Sequence, residues 1–297
     1  ANLRFIKIKS LKNFYFLTVL ILLSCSDKVS MQEFDSAEII KTIVLPKTIN
    51  ETSGLEFYNK NFITHNDSGD GPSLYVFNEN GDLIKTIDLN KGANFEIENN
   101  DWEDIASDDK YLYVADTGNN FGNRSNLNII RVNKEDDYKV DGIIEILYAD
   151  QETFFPRPKH KYDAEAILVI DEQLVLFSKD RENLNTDLYL VDKFEKAAQK
   201  LTSEFDFNVN SLITGGDYKN ELKLLALVSY NSQGNQYLIL FERFDLENLE
   251  ENTFKKYIIP LEKAQIESIK IIDKKTFWVT SEDEGVGNPI MYKLKVK

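Results

Sequence analysis

Glu103 in "WEDIA", Glu165 in "DAEAI" and Glu267 in "IES" each stand two residues ahead of an isoleucine, at the head of an apolar run. Acids are poor strand formers, so their recurrence at one phase needs a reason. Related positions also carry oxygen: Glu51 or Ser53 in "ETSGL", and Thr214 or Asp217 in "ITGGDY". The markers Ser53, Glu103, Glu165, Asp217 and Glu267 are spaced by 50, 62, 52 and 50 residues. Brought to one axis, three or more such carboxylates repel unless some hold protons or a hard cation sits among them. Calcium suits an all-oxygen set in loose geometry, whereas magnesium wants a tighter octahedron. Zinc wants nitrogen or sulfur, and the chain has only His65, His160 and Cys25 to offer. These five residues are therefore the expected ligands of a central calcium ion.

A second set of polar residues follows each marker at a shorter interval: "HNDSGD" (65–70), "DTGNN" (116–120), "SKDRE" (178–182), "SYNSQ" (229–233) and "SEDEG" (281–285). Turn chemistry alone accounts for the Asn, Asp and Gly in them, but less well for Lys179 and Arg181. We take His65, Asn66, Asp67, Asp116, Asn119, Lys179, Arg181 and Glu282 as the candidate ligand-binding rim. "NDSGDG" brushes the calcium-loop pattern, but its twelfth position is Phe77, not glutamate, so an EF-hand is rejected. The chain contains no nucleophile elbow, P-loop, H-E-x-x-H or dinucleotide fingerprint. A serine hydrolase would have only His65 or His160 as base.

The elements that must hold these groups repeat as well. "ETSGLEFYNKNFITHND" is matched by segments beginning at 101, 163, 214 and 266, each a strand, a polar turn, a second apolar strand and a polar burst. Third strands follow ("SLYVFNE", "LNIIRVN", "DLYLVDK", "QYLILFE", "IMYKLKV"), and fourth strands in four cases ("LIKTIDL", "IIEILYA", "QKLTSEFDF", "KKYIIPL"). The fifth repeat lacks its fourth strand, and "EIIKTIVLP" (38–46) has the matching pattern. Such repeats predict an all-β fold: a five-bladed β-propeller over 37–297, closed by an N-terminal strand joining the C-terminal blade. A two-sheet sandwich would leave the repeat unexplained, and a six-bladed ring lacks a blade. Only "DKFEKAAQKL" (192–201) hints at a helix. Antiparallel connection brings the start of each first strand and the end of each second strand to one rim of the channel. Glu103, Glu165 and Glu267 should point there, with Ile105, Ile167 and Ile269 lining an apolar channel below them.

The 297-residue chain carries a formal charge of −15, which disfavours nucleic acid. Its four basic residues ahead of Cys25 stand in a segment without acids, followed by the apolar run "FYFLTVLILL" and "SCS". This reads as a signal peptide over 1–24, too short in its apolar part for a membrane span. "LLSC" resembles the bacterial lipobox, which implies lipidation at Cys25 and a polar tether over 25–36. The expected location is the bacterial cell envelope, held to a membrane by the lipid anchor.

"E-x-S-G-L", "W-E-D-I-A" and "A-E-A", in this order over 50–284, resemble the SdiA-regulated and esterase-like phytase propeller families. More distantly, the chain is similar to the calcium-activated nucleotidase (apyrase) family. That likeness implies a five-bladed propeller with channel calcium held by serine and glutamate, matched in kind by Ser53, Glu103, Glu165 and Glu267. Blade four departs, offering glycine where a ligand is expected. Two functions follow: a calcium-containing binding or scaffold protein whose rim recognises an envelope protein or glycan, or a calcium-dependent phosphoester hydrolase in which Lys179 and Arg181 neutralise charge. Two rim cations are few for a highly charged phosphate, which favours binding.

Overall fold

The computed structural model describes residues 34–91, 93–261, 264–282 and 287–297; Cys25, the segment 1–24 and the tether as far as residue 33 lie outside the described residues. Five antiparallel four-stranded blades run in chain order from the inside outward. Blade one is Thr52–Tyr58, Asn61–Asn66, Ser73–Phe77 and Leu83–Asp88. Blade two is Asp104–Ser107, Tyr111–Asp116, Asn128–Asn133 and Lys139–Tyr148. Blade three is Ala164–Ile170, Gln173–Ser178, Thr186–Asp192 and Phe205–Phe207. Blade four is Leu212–Lys219, Leu224–Tyr230, Gln236–Glu242 and Lys255–Ile259. Blade five takes Ile266–Asp273, Thr276–Ser281 and Ile290–Lys295 from the end of the chain and Glu38–Val44 from its start. Each inner strand packs on the inner strands of the blades before and after it, and the fifth returns to the first. The expected five-bladed ring and its N-terminal closing strand are both present.

Middle strands are apolar on both faces because both faces are buried. Leu174 and Leu176 face blade two while Val175 and Phe177 face blade four, and Leu225 and Leu227 oppose Leu224, Ala226 and Val228 in the same way. Five buried clusters result, each between two adjoining blades. Ile105, Ile167 and Ile269 belong to these clusters, so the expectation that they line the channel is corrected. Strand alternation turns them sideways, between blades.

Two details differ from the sequence reading. "QKLTSEFDF" is not one strand: Gln199–Leu201 pairs in parallel with Lys139–Tyr148 of blade two, and Phe205–Phe207 completes blade three. In the same manner Asp35–Ser36 pairs in parallel with Lys255–Ile259 of blade four before the chain enters blade five. Each short crossing covers an outer edge that would otherwise present unpaired backbone groups. The tempting helix over 192–201 is a turn, because the Asp192 carboxylate accepts the Phe194 and Glu195 amides. A side chain that satisfies those donors removes the incentive to wind.

Candidate metal centre at the channel mouth

The recurring acids are placed by a recurring irregularity. Inner-strand register slips between Ser53 and Glu56, Ala164 and Ala166, Ile213 and Gly215, and Ile266 and Ser268. The extra residue at such a bulge leaves the ladder and is re-aimed. Glu165, Thr214 and Glu267 are those residues, and in blade one Gly54 adopts φ +68° in the bulge. A Cβ on Gly54 would lie 2.7 Å from the Ile105 amide nitrogen, so this position admits blade two only as glycine. In blade two Glu103 donates its amide to the Ala115 carbonyl at 2.9 Å, just ahead of Asp104, which pairs with the same residue.

Blade four's counterpart is thus Thr214, and the assignment of Asp217 to the central ligands is corrected. Asp217 lies three residues further down the channel, where it accepts Lys270 Nζ at 2.8 Å and the Ile271 amide at 2.7 Å. Lys270 also pairs with Glu56 at 2.7 Å. Nor does the blade-four glycine mark a lost ligand. The Gly216 amide points to Asp104 Oδ2 at 3.3 Å, and the Ile167 amide to the same oxygen at 3.0 Å. Asp104 therefore ties blades two, three and four together beneath the mouth. The channel below the acids is filled with paired polar groups, not an apolar lining.

Around the mouth a cavity of about 80 Å³ is bordered by Ser53, Asp67, Glu103, Glu165, Glu267 and Glu282, among others. Two sets of acids converge there, each with donor oxygens within 4.8 Å of one another: Asp67, Asp101 and Glu103, and Glu103, Asp163 and Glu165. In the second set Asp163 and Glu165 are already neutralised. Lys179 Nζ lies 2.9 Å from Glu165 Oε1, and Arg181 pairs with Asp163. Burial opposes the charge on Asp163, yet Arg181 and Lys179 hold its carboxyl below the usual range. Burial pushes Glu165 up to about 7 despite Lys179. For Lys179 burial disfavours the ammonium, but Glu165 and Glu267 outweigh it and raise its pKa.

Among the described residues, no such cation is hydrogen-bonded to the first set. Glu103 is 5% exposed, and no described group donates to its carboxylate. Burial first, then Glu165, Asp67 and Asp101, raise its pKa well above the ordinary value. Burial and Asp101 push Asp67 up to about 9, and Asp67 Oδ1 is buried without a hydrogen-bond partner. Burial likewise raises Asp101. At an effective dielectric near 20, unit charges about 5 Å apart repel by about 3 kcal/mol, so three bare carboxylates cannot coexist here without protons or a cation. Gly118 completes the pocket wall: a Cβ there would overlap the Glu103 and Asp101 carboxyls.

The other rim residues serve mainly to build this wall. Asn119 donates its amide to Asp163 at 2.6 Å and its side chain to the Tyr162 carbonyl at 2.7 Å. Asp116 pairs with Arg124 at 2.8 Å, and Asn66 donates to the Thr48 carbonyl and to Asp70. His65 is fully buried, edge-on to Trp102, and burial lowers its pKa to about 4; it faces no solvent and is not a rim acid or base. Ser53 Oγ donates to the Glu103 carbonyl, and Thr117 and Thr214 repeat this hydroxyl link between other blades. Glu267 accepts from Gln265, and burial raises its pKa well above the ordinary value although Lys179 works against it.

Asp101 and Asp163 are the residues that reading the sequence missed. A signal was present: both blades two and three carry D-x-E, "DWE" and "DAE", and residues two apart on an extended strand face one side.

No family model matches the sequence, and no curated protein does. Among solved structures, a GH43 β-1,3-galactosidase in complex with galactodeoxynojirimycin is similar in fold (TM-score 0.51, 11% identity, 87% of this chain and 94% of that one). A hypothetical protein from Leishmania major aligns over 87% of this chain and 91% of its own with 10% identity and a TM-score of 0.48. The first likeness is one of fold alone.

Proposed function

We propose that this chain is a calcium-binding propeller of the bacterial cell envelope, anchored through lipid on Cys25, that acts as a binding or scaffold protein through its channel mouth. One observation carries the metal reading: Glu103 is a buried carboxylate that no described group donates to, converging with Asp67 and Asp101 at the same cavity. The donors fit calcium in kind, being all oxygen and without nitrogen or sulfur. Asp67, Asp101 and Glu103 would hold the ion, while Lys179 and Arg181 already balance Asp163 and Glu165. When bound, the ion supplies the charge that the three acids lack. The lipobox-like "LLSC" after a basic and apolar run supports the anchor. The more distant similarity to the calcium-activated nucleotidase family supports calcium in the channel.

The phosphoester reading is weaker. Both cations that would neutralise a phosphate are engaged with carboxylates, at 2.9 Å in the case of Lys179. The mouth cavity of about 80 Å³ is also well below the roughly 300–1,000 Å³ of ordinary small-molecule sites. Calorimetric titration of the metal-stripped protein with calcium, magnesium and zinc tests the metal reading. Saturable calcium binding, reversed by chelator and weaker for the other two, is expected; no calcium binding up to millimolar concentration would end it. Cys25→Ala should release the protein from membranes, and a variant that survives carbonate washing in the membrane fraction would remove the anchor.

A further inference from the structure

At the end of the ring opposite the acidic mouth, a groove of about 260 Å³ opens between blades four and five. Its position follows from strand direction: Leu224 begins the strand that reaches the mouth at Tyr230, and the Lys274–Lys275 turn begins the one that reaches it at Ser281. Leu222, Leu224, Leu240, Tyr257 and Val296 belong to the groove lining and to the hydrophobic cluster between these blades. The floor of the groove is thus the end of the inter-blade core, with Leu222 its half-buried member.

The other lining residues are nearly all cations. Arg243, Lys255, Lys274, Lys275 and Lys297 surround the floor, all exposed. The one acid in the lining, Glu242, is paired with Lys255 at 3.3 Å. On a chain with a formal charge of −15, five cations around a single groove run against the surface as a whole. Two of the eight non-glycine residues of positive φ among the described residues lie at or beside this groove. Arg243 at φ +62° and Lys223 at φ +47° both hold left-handed conformations, and the amide next to Arg243, that of Phe244, bonds the Lys223 carbonyl at 2.8 Å.

We propose that this groove binds an anionic amphiphile, specifically a long-chain fatty-acid carboxylate. The acyl chain lies on the leucine and tyrosine floor, and the carboxylate is held by the lysine and arginine rim. An apolar floor alone would take any hydrocarbon; the rim selects the charge of the head. The site is separate from the mouth and does not depend on calcium.

Calorimetry of the full chain with sodium dodecanoate below its micellar concentration tests this, with dodecyltrimethylammonium and acetate as controls. Dodecanoate should bind one to one, and neither the cationic amphiphile nor acetate should bind. Lys274→Glu with Lys275→Glu changes only exposed side chains on a turn and should weaken dodecanoate at least tenfold with an unchanged melting temperature. Leu222→Asp, at a half-buried floor position, should do the same. No dodecanoate binding, equal binding of the cationic amphiphile, or full affinity in both variants would overturn the proposal. Binding of a hexaglutamate peptide in place of dodecanoate would reassign the groove to acidic peptides and overturn it equally.

Discussion

Glu103→Gln should have opposite effects with and without calcium, a signature that ordinary damage does not produce. Glutamine is neutral and nearly isosteric with a protonated glutamate. In the metal-free protein, burial and four neighbouring acids keep the Glu103 carboxyl protonated well above its ordinary value of 4.5. For an acid that folds with its proton at pH 7, folding must recover a proton that the unfolded chain has lost. The raised pKa therefore contributes fully at low pH and is lost as pH climbs above 4.5 toward the folded value. The cost grows by about 1.4 kcal/mol for every pH unit climbed between the unfolded and the folded value. Glutamine avoids it. The variant in chelator should therefore melt above wild type at pH 7, by about 2–4 °C for each kcal/mol avoided, and close to it at pH 4.5. Calcium should then reverse the order. Wild type gains about 2.7 kcal/mol at a hundredfold excess over the dissociation constant, and the variant, short of one ligand, gains much less. Thermal melts of both proteins, with calcium and with chelator at the two pH values, give all eight numbers. If Glu103→Gln is less stable than wild type in chelator at pH 7, Glu103 is ionised and paired, and the charge argument fails. If the calcium shift survives in full, Glu103 is not a ligand.

Lys179→Met removes the 2.9 Å partner of buried Glu165 and leaves it only Arg181 at 3.7 Å, at a cost of up to about 3–5 kcal/mol at pH 8; because Glu165 already titrates at about 7, protonation should shrink the deficit by pH 5, which urea unfolding at both pH values will measure. Gly118→Ala alters no ligand, yet its methyl displaces the Glu103 and Asp101 carboxyls, so calorimetry should show calcium affinity falling at least tenfold. Removing Glu38–Val44 exposes the edge of Ile290–Lys295 and takes Ile43 out of the core between blades five and one, a burial worth about 1.5–3 kcal/mol by itself; the deletion should abolish a cooperative melt and promote self-association, read by calorimetry and light scattering.

The ring was legible in the sequence because its information is local and repeated. A strand, turn and strand recurring at intervals of 50 to 62 residues, with one outer strand missing at the end and supplied at the start, leaves few other ways to close edges. That the acids face the mouth was legible too, since antiparallel connection fixes which strand ends meet. Partnership across blades was not. Asp217 and Glu103 look equivalent by spacing, but a one-residue bulge decides which side chain leaves the ladder, and in blade four it chose Thr214. Lys179 stands fourteen positions from Glu165 in sequence and 2.9 Å from it in space, so only the packed ring shows that Glu165 is neutralised while Glu103 is not. Asp104 shows the same limit: three backbone amides reach its carboxylate from blades two, three and four, and the sequence carries no mark of such donors. Composition and repeat therefore determined the architecture and the direction of the acids. Tertiary packing alone decided which of them lack a partner, because burial and neighbouring charge are properties of the assembled mouth.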